Sequence, residues 1–207
     1  MRNTLADVVS TALEVLDDQG LEGCSMRRVA AALDVQPSAL YHHVPNKQSL
    51  LALMADEIAG GVLQVEAGAV LTRDGAPVGP ADRARFICLA LRGAMLDIRD
   101  GADVVATAAA FRLGDSAVED RLAELIGADG ARTILLFTFG HTQSTQTHRQ
   151  AAALGALGSL VGRADAGAAH GAGSDRGAGD DAAADPALDL DASFERGLDI
   201  ILAGLER

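Results

Sequence analysis

Side chains that can bind phosphate groups lie close together at the start of a predicted helix near residue 26. Arg27 and Arg28 occupy the first turn of this helix, and Ser25 precedes it. Positive charge is unfavourable at a helix N-terminus because the helix dipole is already positive there, so the two arginines indicate an anion outside the protein. Ser25 and the free N–H groups of the same helix end can bind a phosphate as well. This part of the chain therefore predicts an anion-binding surface.

The next predicted helix carries side chains that can read base pairs. Small and polar residues near the N-terminus of a helix reach base edges when the helix lies in the DNA major groove. Pro37 adds an apolar surface that fits a thymine methyl group. The residues expected to face base edges are Gln36, Ser38, Ala39 and His42. Taken by itself, His42 fits an ordinary solvent-exposed surface equally well.

Strong start and stop signals define the elements that hold these side chains. Ser25 is a suitable N-cap, Pro37 suits the first position of a helix, and Asn46 caps the helix that follows Pro45. Residues 34–36 form a short turn. Two short helices joined by a tight turn and packed on longer helices are the outline of a helix-turn-helix. The predicted helices span residues 3–18, 26–33, 37–44 and 46–63.

The rest of the chain is predicted to be helical as well. Hydrophobic residues make up 49% of the 207 residues but aromatic residues only 3%, and an Ala- and Leu-rich composition favours helices over strands. We expect an all-α fold, with a three-helix helix-turn-helix domain (1–47) joined by a long linking helix to a C-terminal helical bundle (48–207). Residues 162–187 have no hydrophobic side chain larger than Ala and are predicted to be a disordered loop. The predicted helices of the bundle span residues 81–98, 103–110, 116–126, 129–161 and 188–205.

Residues 12–51 resemble the DNA-binding domain of the tetracycline-repressor (TetR) family. The similarity includes the Gly-Leu-Glu-Gly link at 20–23, Leu-Tyr-x-His at 40–43 and Asn-Lys at 46–47. Weaker similarity covers residues 99–102, which resemble the family's turn before its sixth helix. Residues 137–140 and 194–206 are similar to the C-terminal core of the tetracycline-repressor branch itself. The resemblance implies that Arg27 reaches a guanine and that Arg28 contacts a phosphate. It also places Tyr41, His43 and Lys47 on phosphates.

The resemblance further implies an obligate homodimer built from the long helix around residue 145 and the last helix. Such a dimer presents two recognition helices to a pseudo-palindromic operator, with half-sites about 34–36 Å apart. We expect a repressor that a small-molecule effector releases from double-stranded DNA. An activator or an effector-independent regulator of the same fold remains an alternative, and a helical enzyme or binding module with a vestigial DNA-binding motif is a more remote one. Pro37 and Ala39 replace polar residues of the tetracycline repressor, so a different operator is expected.

The long helix carries a polar stretch at residues 141–150 that divides into two faces. We expect the face of His141, Ser144, Thr145 and His148 to line an effector pocket. The face of Gln143, Gln146, Thr147 and Gln150 lies roughly opposite, and either face can instead belong to the dimer interface or the surface. Further candidates for an apolar pocket of moderate size are Phe86, Arg92, Leu96, Val105, Phe111 and Phe137, with Arg92 as an anchor for an acidic group. Each of these six is also a suitable core residue.

Metal and cofactor chemistry is not expected. His141 and His148 are two helical turns apart, about 10.5 Å along the axis, which is too far to share one ion. The positions aligned with the magnesium and tetracycline ligands of the tetracycline repressor hold Leu63, Val105 and Ser144, so tetracycline is not the expected effector. The sequence has no Gly-rich phosphate loop, nucleophile elbow or HExxH motif, and no catalytic residue is assigned.

Composition points to a cytoplasmic protein without a membrane span. No apolar run approaches the ~20 residues that a transmembrane helix needs, and the N-terminus lacks a signal-peptide pattern. Cys24 and Cys88 are too few for a disulfide framework, and we expect two buried thiols. The net charge of −12 opposes general nucleic-acid binding but does not exclude a small basic face.

Overall fold

A computed structural model describes residues 3–68, 78–114, 116–153, 155 and 189–205. All the regular structure within these ranges is helical, which confirms the predicted all-α fold. The helices are α1 (Leu5–Gly23), α2 (Met26–Ala32), α3 (Pro37–Tyr41), α4 (Lys47–Ala59), α5 (Val62–Gly68), α6 (Pro80–Leu96), α7 (Gly101–Ala110), α8 (Ala117–Ile126), α9 (Ala128–Ala153) and α10 (Leu190–Leu205).

The first helix begins and bends at residues that local chemistry selects. Thr4 and Asp7 form a capping box, in which each side chain bonds the backbone N–H of the other residue. The helix continues beyond the predicted end at residue 18 and bends at Gly20, whose φ of 70° is open to glycine at little cost. Val8, Ala12 and Leu16 are buried on the predicted apolar face.

Helices α3 and α4 are shorter than predicted. The α-helical part of α3 ends at Tyr41, and the chain continues as a tighter turn in which the N–H groups of His43 and Val44 both bond the Leu40 carbonyl. The predicted helix 46–63 divides into α4 and α5 at the pair Gly60 and Gly61, because glycine disfavours a continuous helix.

The second half of the chain packs α6, α7, α8, α9 and α10 around one another. A single hydrophobic core runs from α1 to α10, and α4 lies in its middle, packed on α1 and most extensively on α7. The predicted end of the long helix at residue 161 and the predicted loop 162–187 lie outside the described residues. Helix α10 confirms the apolar stripe of the last predicted helix, with Phe194, Leu198 and Leu202 buried.

Candidate DNA-binding surface and effector cavity

The start of α2 is a capped and strongly basic turn. The Ser25 hydroxyl accepts a hydrogen bond from the backbone N–H of Arg28 at 3.3 Å, as its position predicts. The Arg28 guanidinium donates to Oε1 of Gln19 at 2.9 Å, which holds it beside the end of α1. Arg27 and Arg28 are both exposed to solvent. The basic groups are therefore accessible to an anion, and one of them is already oriented by the protein.

The turn between α2 and α3 and the core contacts of α3 decide which side chains reach the surface. Asp34 adopts φ 54°, a left-handed conformation that Asp tolerates better than most residues because its short side chain can hydrogen-bond locally. Leu40 and Val44 are buried and hold one side of the α3 region in the core. Pro37 is half-buried. The side chains left exposed are Gln36, Ser38, Ala39, Tyr41, His42 and His43.

Lys47 lies at the junction of α1 and α4. The Asn46 side chain accepts the N–H of Ser49 at 2.8 Å and caps α4. The half-buried Lys47 donates from Nζ to the Leu21 carbonyl at 3.4 Å. An ammonium group has three N–H donors, so Lys47 can bond this carbonyl and a phosphate together.

A cavity of about 760 Å³ lies between α4, α7, the turn after α7, and α9. This volume is within the usual range for small-molecule sites. The wall is built largely from small side chains, because α7 ends in the alanine run 108–110. Larger apolar groups close the rest of it. Representative apolar lining residues are Ala55, Ala59, Leu91, Ala108, Leu135 and Phe139.

A few polar side chains also line this cavity. Gln143 of α9 donates from Nε2 to Oδ1 of Asp103 at 2.8 Å, and its carbonyl oxygen is available as an acceptor. Thr107 and Glu119 add a hydroxyl and a carboxylate, and Arg132 adds a guanidinium. An apolar space with a few hydrogen-bonding groups is the usual form of a small-molecule site.

Two of the predicted effector residues, Val105 and Phe111, line this cavity. The face of α9 that lines it is the one carrying Gly140 and Gln143, rather than the predicted face of His141 and Thr145. The reason is the way α9 packs. Thr145 is fully buried and donates from its hydroxyl to the His141 carbonyl at 2.9 Å. That face therefore belongs to the core around α9.

The remaining predicted effector residues lie outside the lining of the cavity. Phe86 and Ser144 are exposed, and Leu96 and His148 are half-buried. The sequence pattern already marked the alternative face of α9, with Gln143. The alanine run at the end of α7 was missed, because alanine has no chemistry that singles it out before the space around it is known.

Arg92, Phe137 and His141 belong to a separate cluster that joins α6, α9 and α10. The guanidinium of Arg92 lies 4.9 Å from the Phe194 ring centre and donates to Oδ1 of Asp191 at 2.6 Å. The ring centres of Phe137 and Phe194 are 5.4 Å apart and the rings are stacked. Arg92 is buried and is engaged by Asp191, so its carboxylate partner comes from within the chain.

Contacts within the same cluster shift the pKa values of two titratable groups. Burial lowers the pKa of His141, and the positive charge of Arg92 lowers it further. The hydrogen bond from Arg92 is the main reason that the pKa of Asp191 is lowered. Both shifts favour a neutral histidine beside an ionised Asp191–Arg92 pair.

The described residues contain no group of three His, Cys, Asp or Glu side chains placed to hold a metal ion. Within the same residues, no helix combines the length and apolar character that crossing a membrane requires. Cys24 and Cys88 are buried free thiols, as expected.

Comparison with known proteins identifies the N-terminal segment. Residues 8–54 match the family model of bacterial regulatory proteins, tetR family. The tetracycline repressor protein class E of Escherichia coli is 44% identical over 57 residues, which are 28% of this chain and 27% of that protein. The match thus spans about a quarter of the repressor's length.

Solved structures extend the similarity to the whole chain. BioQ of Mycobacterium smegmatis is 29% identical, with a TM-score of 0.74 over 98% of this chain and 97% of that one. A BioQ crystal structure with its double-stranded DNA operator is 26% identical, with a TM-score of 0.67 over 98% of each chain. The TetR family protein ActR of Streptomyces coelicolor, in complex with (S)-DNPA, is 25% identical, with a TM-score of 0.63 over 99% and 98% of the two chains.

These similarities agree with the fold and with the arrangement of the helix-turn-helix. The family is one of regulatory proteins, in agreement with the prediction that the chain is not an enzyme. Residues 8–54 thus match bacterial regulatory proteins of the tetR family, and the whole fold is similar to that of the TetR family protein ActR.

Proposed function

We propose that this chain is a cytoplasmic, ligand-responsive repressor that binds a pseudo-palindromic DNA operator as a homodimer and leaves it when a small molecule fills the cavity. One observation carries the proposal. Helix α4 directly follows the exposed α3 surface, and its last turns form part of the cavity wall through Ala55 and Ala59. Helix α4 thus connects the candidate DNA-reading helix α3 to the candidate effector site.

The exposed surface of α2 and α3 supports DNA as the partner. Tyr41 is 51% exposed although it is a large aromatic residue, which is the exposure that a phosphate-contacting hydroxyl requires. Arg27 and Arg28 supply positive charge at the start of α2, where the helix dipole adds a partial positive charge. BioQ, with the same fold, has been solved on its operator, which supports the same partner here.

The lining of the cavity supports an apolar effector that carries a hydrogen-bond donor. Most of the wall is alanine, leucine, valine and phenylalanine, and the carbonyl oxygen of Gln143 is the acceptor that such a donor would meet. A molecule that fits the cavity better in one arrangement of α4 and α7 shifts the population toward that arrangement. The complex of ActR with (S)-DNPA supports a small molecule as the ligand class.

Exposed apolar side chains on α10 support the homodimer. Ile200 is 74% exposed, and Leu205, at the end of α10, is 42% exposed. An isologous interface uses the same patch on both copies. Two α9 helices and two α10 helices would cover these side chains in the four-helix arrangement that the family resemblance implies.

The experiment that tests the proposal is selection of bound duplexes from a random-sequence DNA library with the full chain, followed by footprinting. We expect one pseudo-palindromic sequence. Arg27→Ala and Tyr41→Ala should then each weaken its binding, while the mass of the dimer in light scattering stays unchanged. The matched control is Arg149→Ala, which removes an exposed arginine of α9 outside α2, α3 and the cavity lining and should leave binding unaltered.

A reporter transcription assay, with the selected sequence placed either upstream of the promoter or overlapping it, separates a repressor from an activator. Recovery of no sequence motif, or equal binding by the two variants and the parent chain, would reject the assignment of α2 and α3 to DNA. Specific binding that activates transcription would support the alternative regulator instead.

A further inference from the structure

Three glutamines on α9 contact the turn between α6 and α7 in succession. Gln143, Gln146 and Gln150 follow one another at about one helical turn each, so they lie along one face of α9. We call these three residues the glutamine ladder. Buried or half-buried amides need hydrogen-bond partners, and each member of the ladder finds its partner on the α6–α7 turn or on the first residues of α7.

The middle member ties α9 to the backbone of the turn. Gln146 donates from Nε2 to the carbonyls of Met95 at 3.2 Å and Ile98 at 2.8 Å. Its Oε1 accepts the N–H of Ala102 at 3.1 Å. One buried amide thus bonds a carbonyl in the last turn of α6, a carbonyl of the α6–α7 turn and an N–H of α7, which ties α9 to this turn.

The outer members connect the turn to the cavity on one side and to α1 on the other. Gln143, which lines the cavity, donates to Oδ1 of Asp103 at 2.8 Å. Gln150 donates to Oδ1 of Asp100 at 2.7 Å, and the other oxygen of Asp100 accepts the N–H of Leu21 at 2.8 Å. The carboxylate of Asp100 therefore bridges α9 and the end of α1.

The α1 side of this bridge is closely fitted. A Cβ atom at Gly20 would lie 2.9 Å from Oδ2 of Asp100, so the close approach requires a glycine. The neighbouring Arg99 donates from its backbone N–H to Oδ1 of Asp17 at 3.0 Å and from Nη1 to the Asp18 carbonyl at 3.4 Å. The same end of α1 receives Lys47 and lies next to Arg28 through Gln19.

We propose that the glutamine ladder and Asp100 couple the cavity to the helix-turn-helix through the end of α1. The inference rests on the proposed function and adds a specific route of regulation to it. A molecule that bonds Gln143, or displaces α7, pulls on the α6–α7 turn, and Asp100 passes this movement to Leu21. Gln143, Gln146, Gln150 and Asp100 are positioning residues in this scheme, since they touch neither DNA nor its phosphates.

The test uses a cavity-filling substitution in place of an unidentified effector. Ala106→Phe adds a ring to the cavity wall, and Ala109→Phe does so from a second position if the first variant does not fold. Hydrogen exchange of the amides of residues 17–24 is measured with and without the added ring. The measurement is made in the parent chain, in Gln150→Leu, in Asp100→Asn and in the control Gln64→Leu, which alters an exposed glutamine of α5.

We expect the ring to change exchange at residues 17–24 in the parent chain and in Gln64→Leu, and to leave it unaltered in Gln150→Leu and Asp100→Asn. Where the selected DNA is in hand, the ring should lower its affinity by about five-fold or more in the parent chain. This loss of affinity should disappear in Gln150→Leu and in Asp100→Asn. Asp100 has a φ of 56°. Asparagine keeps the shape of the side chain and tolerates positive φ as well, so the effect of Asp100→Asn is not simple misfolding.

Two results would overturn the proposal. One is an equal change in hydrogen exchange in the parent chain, in Gln150→Leu and in Asp100→Asn when the ring is added. The other is no change at residues 17–24 in the parent chain. Failure of the proposed function is a separate result, because it appears as the absence of a selected DNA sequence. The hydrogen-exchange measurement needs no DNA, so it tests the coupling through the glutamine ladder and Asp100 in that case too.

Discussion

The ring of Phe137 on α9 occupies the space into which a side chain at position 197 of α10 would project. A Cβ atom built on Gly197 overlaps the edge of this ring, and the ring is itself stacked on Phe194. The glycine is therefore a requirement of the packing between α9 and α10. It accounts for a glycine inside a helix, where the residue costs about 1 kcal/mol relative to alanine.

Gly197→Ala should lower the free energy of unfolding by about 1–3 kcal/mol, because a methyl group added to a packed contact forces the Phe137 ring from its place. The matched control is Gly93→Ala on α6, where a Cβ meets nothing within 4 Å and helix propensity predicts a gain of up to about 1 kcal/mol. Urea unfolding followed by circular dichroism compares them. A Gly197→Ala protein as stable as the parent would contradict the contact.

The stability of the chain should fall in acid because of Glu66. This residue is 3% exposed and is paired with Arg83 and Arg121, which join α5 to α6 and α8. Burial raises the pKa of Glu66, but the hydrogen bonds from Arg121 and Arg83 outweigh it and the net pKa is lowered. A lowered folded pKa means that the pair stabilises the fold above the ordinary pKa of the group, near 4.5, and that this stability is lost as the pH falls through the folded value.

Glu66→Gln should lower the free energy of unfolding by about 2–3 kcal/mol at pH 7. This is at or below the lower end of the range for breaking a buried ion pair, because both arginines keep some contact with water. The difference from the parent should shrink between pH 5 and pH 3. Urea midpoints at pH 7, 5, 4 and 3 measure it. The matched control is Glu124→Gln, whose exposed carboxylate pairs with the same Arg121 and should change stability by less than about 1 kcal/mol. A constant difference over this pH range would exclude Glu66 as the titrating group.

The two thiols should resist alkylation in the folded protein. Burial raises the pKa of Cys24, and it raises that of Cys88 to about 12. The thiolate is the reactive form, so iodoacetamide at pH 8 should label neither residue in buffer and both in urea. Mass spectrometry after a short exposure counts the labels. Rapid labelling of Cys88 in buffer would show that its surroundings open readily.

Ile200→Glu should convert the proposed homodimer into monomers. The substitution places a charge at an apolar side chain of α10 that is 74% exposed, and burying an unpaired charge between two copies is strongly unfavourable. The control is Val65→Glu on α5, which changes another exposed apolar residue, 58% exposed, away from α9 and α10. Light scattering gives the mass of each variant, and a dimer that survives Ile200→Glu would place the interface elsewhere.

Local signals in the sequence were enough to predict the helix-turn-helix. Ser25, Pro37 and Asn46 lie at or next to helix starts, and each acts through atoms only a few residues away in the chain. The all-α fold followed from composition and apolar spacing for the same reason, since helices are built from contacts at i+3 and i+4. The exposed residues of α3 were predicted correctly as a surface, because Leu40 and Val44 mark its buried side.

The position of the candidate effector cavity was decided by the tertiary structure. The faces of α9 that carry His141 and Gln143 are equally polar in sequence, and the choice between them depends on which one Phe194, Arg92 and the α6–α7 turn contact. These partners are about 40 to 50 residues away in the chain, and helix periodicity says nothing about them. The requirement for glycine at position 197 and the bridge from Gln150 through Asp100 to Leu21 have the same origin. The amino-acid sequence by itself thus determined the helices and the exposed surface of α3, whereas the packing of distant helices decided where the cavity lies and which contacts join it to α1.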